Sequence, residues 1–145
     1  MELGFIQSAQ LEELMNEMTK ARFKKGQAYI EFTRKLDINN SEDQAHIVSR
    51  NYYGMYHLAR ATVFHTQRRD IDRHDSLPEV LGQIVGLSLK EKLEKWRDAR
   101  NVLEYSPYTP TDMATICSES MSDAQEILTI CKQYLKGRGV DIEDT

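Results

Sequence analysis

Apolar side chains recur along this chain with helical spacing and nowhere alternate with the period of two that a half-buried strand requires. The most regular stretch is 41–67, SEDQAHIVSRNYYGMYHLARATVFHTQ. Val48, Tyr52, Met55, Ala59 and Val63 form one stripe, and Ile47, Gly54, Leu58 and Ala61 widen it. That breadth predicts a central helix buried on more than one side. Ser41 followed by Gln44 reads as a capping box that starts it. Beside the stripe runs a second row, Arg50, Tyr53, His57 and Phe64. Arg50 and His57 are two turns apart, displaced by about 20° and roughly 10.5 Å along the axis.

The other elements follow from the same spacing. A first helix is predicted over about 8–36, with Leu11, Leu14, Met15, Met18, Arg22, Lys25, Tyr29, Phe32 and Leu36 as its core-facing row. Gly26 inside it marks a bend or break. A loop at 37–40 and a polar connection at 67–75 flank the central helix. Ser76 with Glu79, and Pro78 in the first turn, open a short helix that Gly86 closes. Ser88 with Glu91 opens a fourth, carrying Leu89, Leu93, Trp96, Arg100 and Leu103 and stopped after Tyr105 by Pro107 and Pro110. A last helix from about Thr111 carries Met113, Cys117, Ala124, Leu128, Cys131 and Leu135, with Gly137 as its cap and a frayed tail from about 138. The expected fold is all-α, an antiparallel bundle of four main helices plus one short helix, in a single domain spanning 1–145.

Composition narrows the function classes. With 40% hydrophobic and 29% charged residues the chain builds one core. No apolar run approaches the roughly 20 residues a membrane helix needs, and the N-terminus lacks a signal-peptide pattern, so the expected location is the cytoplasm. A net charge of −4 disfavours bulk electrostatic binding of long nucleic acid. It leaves room for a local cluster, Arg68, Arg69, Arg73 and His74, which is either a phosphate contact or a solvated loop interrupted by Asp70 and Asp72. Cys117 and Cys131, about 21 Å apart along one helix, read as free packed thiols rather than a disulfide or a metal site. There is no Gly-rich phosphate loop, GxSxG, HExxH or DxDxDG, and neither a metal nor a cofactor is expected.

Two passages carry a family resemblance. Residues 49–61, SRNYYGMYHLARA, resemble the SRAYYAMFHAARA signature of small prokaryotic HEPN proteins, and residues 100–107, RNVLEYSP, resemble their RNRADYDP. Arg73-His74 resembles the Lys-His pair that commonly lies between the two. The likeness covers about 47–107, and the connection between the first two helices is longer here than in typical members. The resemblance implies a helical bundle that commonly forms homodimers. Some members bind nucleotides or partner a minimal nucleotidyltransferase in toxin–antitoxin pairs; others are metal-independent RNases that use an Arg followed by a His. It makes Tyr53, Arg73, His74, Asn101 and Glu104 the binding candidates. Three roles stay open: a binding module for a nucleotide or a nucleotidyltransferase-type protein, an RNase toxin, and a dimeric scaffold without ligand.

Metal-free RNA cleavage needs a base, an acid and a cation for the phosphorane charge. Two pairs have the residue types in order: Arg50 with His57, and Arg100 with Tyr105. Against the first, helical side chains lean toward the N-terminus, which aims Arg50 away from His57. Against the second, a tyrosine with its pKa near 10 is a poor base at neutral pH. The structural alternative pairs Arg50 with Glu104, beside Tyr105, in one buried polar network between neighbouring helices.

Overall fold

Asn40 starts the central helix. Its side-chain oxygen accepts from Glu42 N at 3.0 Å and Asp43 N at 3.1 Å, satisfying two orphan donors of the first turn. The cap therefore lies one residue before the expected Ser41, and Gln44 turns outward to donate to the Ile38 carbonyl at 2.7 Å. The computed structural model describes residues 2–143, with side chains from residue 8 onward. It is all-helical: α1 (Glu2–Thr33), α2 (Ser41–Gln67), α3 (Leu77–Val85), α4 (Leu87–Tyr105) and α5 (Met113–Gly137), with no strand among the described residues. None of these helices is long and apolar enough to cross a membrane.

α2 touches all four other helices, and its stripe is the core. Ile47, Met55, Leu58, Ala59, Ala61 and Val63 are fully buried, against Phe23 and Ile30 of α1, Leu89, Leu93 and Trp96 of α4, and Ile127 and Cys131 of α5. Cross-links fix the directions. Thr33 meets Asn51 and Glu12 meets Arg68, so α1 and α2 are antiparallel. Lys92 meets Glu126, Trp96 meets Asp123 and Lys95 meets Glu119, so α4 and α5 are antiparallel. Asn51–Ser120 and Thr66–Tyr134 advance together, so α2 and α5 run the same way.

α1 departs from its expected reading in two respects. It is unbroken at Gly26, which serves instead as a crossing point: a Cβ there would lie 2.8 Å from the Gly54 carbonyl oxygen of α2. Its core-facing row is Thr19, Phe23, Gly26, Gln27, Ile30 and Thr33, whereas Leu11, Leu14, Met18 and Phe32 point away from the bundle.

The helix ends differ as well. Gly86, at φ 112°, lies alone between α3 and α4, and its N–H donates to the Gly82 carbonyl. Only glycine tolerates that backbone cheaply, so it displaces Ser88 as the start of α4. Ser76 precedes α3 but makes no cap hydrogen bond. At the end of α5, Gly139 rather than Gly137 is the left-handed residue, with Val140 N on the Leu135 carbonyl and Gly139 N on the Lys136 carbonyl. This is a Schellman motif, and it returns the chain to the bundle. Of the tail expected to fray, Val140 and Ile142 are buried. Cys117 and Cys131 are free and buried as expected, and burial pushes the Cys131 thiol up to about 11.

Candidate functional site

The tyrosines of α2 organise one end of the bundle. Tyr52 and Tyr56 lie one turn apart, as do Tyr53 and His57, so four rings share one side of the helix, an arc of about 140°. The connection from Arg68 to Ser76 folds back along that side. Asp70 anchors it by accepting from Arg60 Nε at 3.1 Å and Nη2 at 2.5 Å and from Arg22 Nη1 at 2.9 Å. The Tyr56 hydroxyl donates to the Asp72 carbonyl, and the His74 ring then lies flat on Tyr56, centroids 4.1 Å apart and planes within 11°. His74 Nδ1 sits 2.6 Å from the Tyr52 hydroxyl.

α4 supplies the opposite wall. The Arg100 guanidinium lies 5.1 Å from the ring centroids of both Tyr52 and Tyr53, a double cation–π contact. Its Nη1 donates to the Tyr53 hydroxyl at 2.5 Å and its Nη2 to Asn101 Oδ1 at 2.9 Å. One turn earlier, Arg97 donates to the His74 carbonyl at 3.2 Å and to Asp98 at 3.0 Å. Arg73, His74, Asp75, Arg97, Arg100 and Asn101 line an open groove between the connection and α4. A second depression, on the other side of Arg100, is lined by Val48, Ser49, Leu103, Glu104, Tyr108 and Met113 among others.

The electrostatics are set by burial and by arginine. The His74 imidazole is held below its ordinary value by burial first, then by Arg100, Arg60 and Arg97, so it is neutral near pH 7. Burial, reinforced by Lys25, Arg60, Arg22 and His74, pushes His57 down to about 4. Burial raises the Tyr52 and Tyr56 hydroxyls despite the arginines beside them, so both stay protonated. The site thus presents neutral rings and fixed arginine charge.

The candidate residues distribute as follows. Tyr53, Arg73, His74, Arg100 and Asn101 come together at or beside the groove. Arg73 itself is held by Asp75 at 3.0–3.2 Å. Arg50 and His57 both reach Tyr29: the Arg50 guanidinium lies 5.9 Å from its ring centroid, and His57 stacks on it at 5.7 Å and 4°. Tyr105 is 83% exposed at the end of α4, and Arg100 is held by Tyr52 and Tyr53 instead. The expected buried network of Arg50, Glu104 and Tyr105 is not formed, because all three are exposed; Arg100 with Tyr52 and Tyr53 joins α2 to α4 in its place. The basic cluster is divided, with Arg68 on Glu12, Arg73 on Asp75 and His74 turned inward.

Sequence reasoning missed Arg97, Tyr29 and Arg60. Arg97 was legible one turn before Arg100, the spacing that sets two side chains on one wall. No group of three or more His, Cys, Asp and Glu residues among those described has the geometry to hold a metal. No family model matches the chain, and no curated protein or solved structure does either.

Proposed function

We propose that this chain is a HEPN-like binding module that takes a nucleotide by its phosphate in the groove between the Arg73–His74 connection and α4. Arg100 carries the reading. Of the groove's three arginines, it alone lacks a carboxylate partner among the described residues, and its Nε–H is buried without an acceptor. Two tyrosine rings hold the guanidinium in place, so its donors are preorganised, and a phosphate oxygen offers the charge partner it lacks.

The nucleotide class is supported by where the resemblance falls. Tyr52 and Tyr53 of the first HEPN-like segment meet Arg100 of the second, which in turn donates to Asn101, and His74 of the intervening pair closes on Tyr52. In this reading the protein partner is of the minimal nucleotidyltransferase type, an enzyme class that itself handles nucleotides.

The test is a calorimetric titration of the purified chain with ATP, AMP and inorganic phosphate, with Arg100→Gln beside the wild type. Nucleotide should bind the wild type, and the variant should lose roughly tenfold or more in affinity. Equal binding by a folded Arg100→Gln variant, or no binding at millimolar nucleotide, removes the proposal. RNA cleavage in excess EDTA that disappears in His57→Ala would put the RNase reading in its place.

A further inference from the structure

Arg100 is a wall shared by two cavities. On one side is the groove it lines with Arg73 and Arg97; on the other is a pocket lined by Ala45 and Val48 of α2, Leu103 of α4 and Met113 of α5. Val48 and Met113 are buried, which gives this pocket an apolar base. It encloses about 240 Å³, less than the roughly 300–1,000 Å³ of sites that hold a whole drug-sized ligand, so it suits a ring system and leaves the rest of a nucleotide outside.

The polar lining includes two side chains without partners. Glu104, one turn beyond Arg100 on α4, has neither an ion pair nor a hydrogen bond among the described residues, and the Ser49 hydroxyl on α2 makes no hydrogen bond either. Tyr108 lines the same pocket and is 83% exposed; its N–H donates to Ser106 Oγ at 3.2 Å, which pins the loop after α4. From Arg100 to Glu104 the helix rises about 6 Å, a step of the order that a ribose bridges between phosphate and base.

We propose that this pocket takes the base of the nucleotide whose phosphate Arg100 holds, and that the base is guanine. The ligand class rests on the phosphate reading; the identity of the base comes from the pocket. An ionised carboxylate only accepts hydrogen bonds, and guanine alone among the common bases sets a ring N–H and an amino group side by side. Adenine and cytosine place a ring-nitrogen lone pair beside the amino group and aim it at Glu104, while uracil has a single N–H between two carbonyls. Ser49 supplies a donor for the guanine carbonyl. Tyr108 offers a ring face for stacking, which every base accepts. Glu104 is exposed, so water relieves part of a mismatch, and the preference for guanine is roughly tenfold to a hundredfold rather than the larger ratios of buried sites.

Calorimetric titration of the full chain with GMP, AMP, CMP, UMP, guanosine and inorganic phosphate tests it. GMP should bind roughly tenfold or more tighter than the other monophosphates. Glu104→Gln, with an unchanged helical circular dichroism spectrum, should weaken GMP and guanosine roughly tenfold and leave inorganic phosphate as before. Tyr108→Ala should weaken all four monophosphates alike. Monophosphates that bind equally well whatever their base overturn the inference and leave the phosphate reading standing, as does a GMP preference that survives in Glu104→Gln. Guanosine binding that Glu104→Gln weakens, with no gain from the phosphate of GMP, upholds the base pocket while the phosphate reading falls. Binding of neither guanosine nor any monophosphate overturns both.

Discussion

Gly26 and Gly54 meet backbone to backbone where α1 crosses α2. A Cβ added at Gly54 would fall 2.6 Å from Ile30 Cγ1 and 2.9 Å from the Gly26 carbonyl oxygen, and the reciprocal position is equally closed. Two glycines thus set the closest approach of the two longest helices, and that approach brings Tyr29 beside His57 and Tyr53.

Alanine at Gly26 ought to gain up to about 1 kcal/mol of helix propensity. The clash outweighs it, because the opposing atom is backbone oxygen and cannot rotate aside. Gly26→Ala is expected to destabilise by about 1–3 kcal/mol, read as a lower urea midpoint. A rise in the midpoint would mean the helices separate without penalty.

Three helices meet at one buried amide. The Thr33 hydroxyl donates to Asn51 Oδ1 at 2.6 Å, and Asn51 Nδ2 donates to Ser120 Oγ at 3.1 Å, with all three residues fully buried. Asn51→Ala removes both bonds, leaves the Thr33 hydroxyl to the Ile30 carbonyl, takes the Asn51 donor from Ser120 Oγ and opens a cavity, for an expected loss of about 2–3 kcal/mol. A loss below about 0.5 kcal/mol would show that the hydroxyls find other partners.

Helix existence was legible because period is a local property. The direction a helix faces was not, and α1 shows why. Its outward row carries four large apolar side chains, Leu11, Leu14, Met18 and Phe32, whereas the inward row has two, Phe23 and Ile30, among Thr19, Gly26, Gln27 and Thr33, which are small or polar where α2 comes close. Hydrophobicity alone therefore selects the wrong face. The helix starts were blurred for a simpler reason: Asn40 and Ser41 are adjacent capping residues, and spacing cannot rank them. At the site, Arg100 and His74 were picked out by type and order. Their shared contact with Tyr52 depends on the 68–76 connection folding back, which the Arg60–Asp70 pair brings about and no short motif encodes.

The C-terminal turn carries apolar weight. Val140 is seated by its N–H on the Leu135 carbonyl, and Ile142 is buried in the same cluster as Phe23. Ile142→Ala is expected to cost about 2 kcal/mol, and removal of residues 140–145 more than that. Urea midpoints for both variants check it; a truncated chain as stable as the full one would place the tail outside the cooperative unit.

His57 makes stability depend on pH in a stated direction. Its imidazole sits at about 4 in the folded protein because burial disfavours the cation, as do Lys25, Arg60, Arg22 and His74 around it. In the unfolded chain it titrates near 6.5. Above that value both states are neutral, and the histidine contributes fully. As pH falls from 6.5 toward 4, the unfolded chain takes up a proton that the folded protein refuses, so stability drops until the folded pKa is reached. His65 and His74 are depressed as well and act with the same sign, whereas Asp70, held low by its Arg60 hydrogen bonds, contributes in full across this range and loses its contribution only in more acid solution. Urea midpoints measured between about pH 7.5 and 4.5 should therefore fall steadily in the wild type and less steeply in His57→Gln, with a residual slope from the other two histidines. Parallel curves for the two proteins would mean that His57 opens to solvent and takes its proton without loss of the fold.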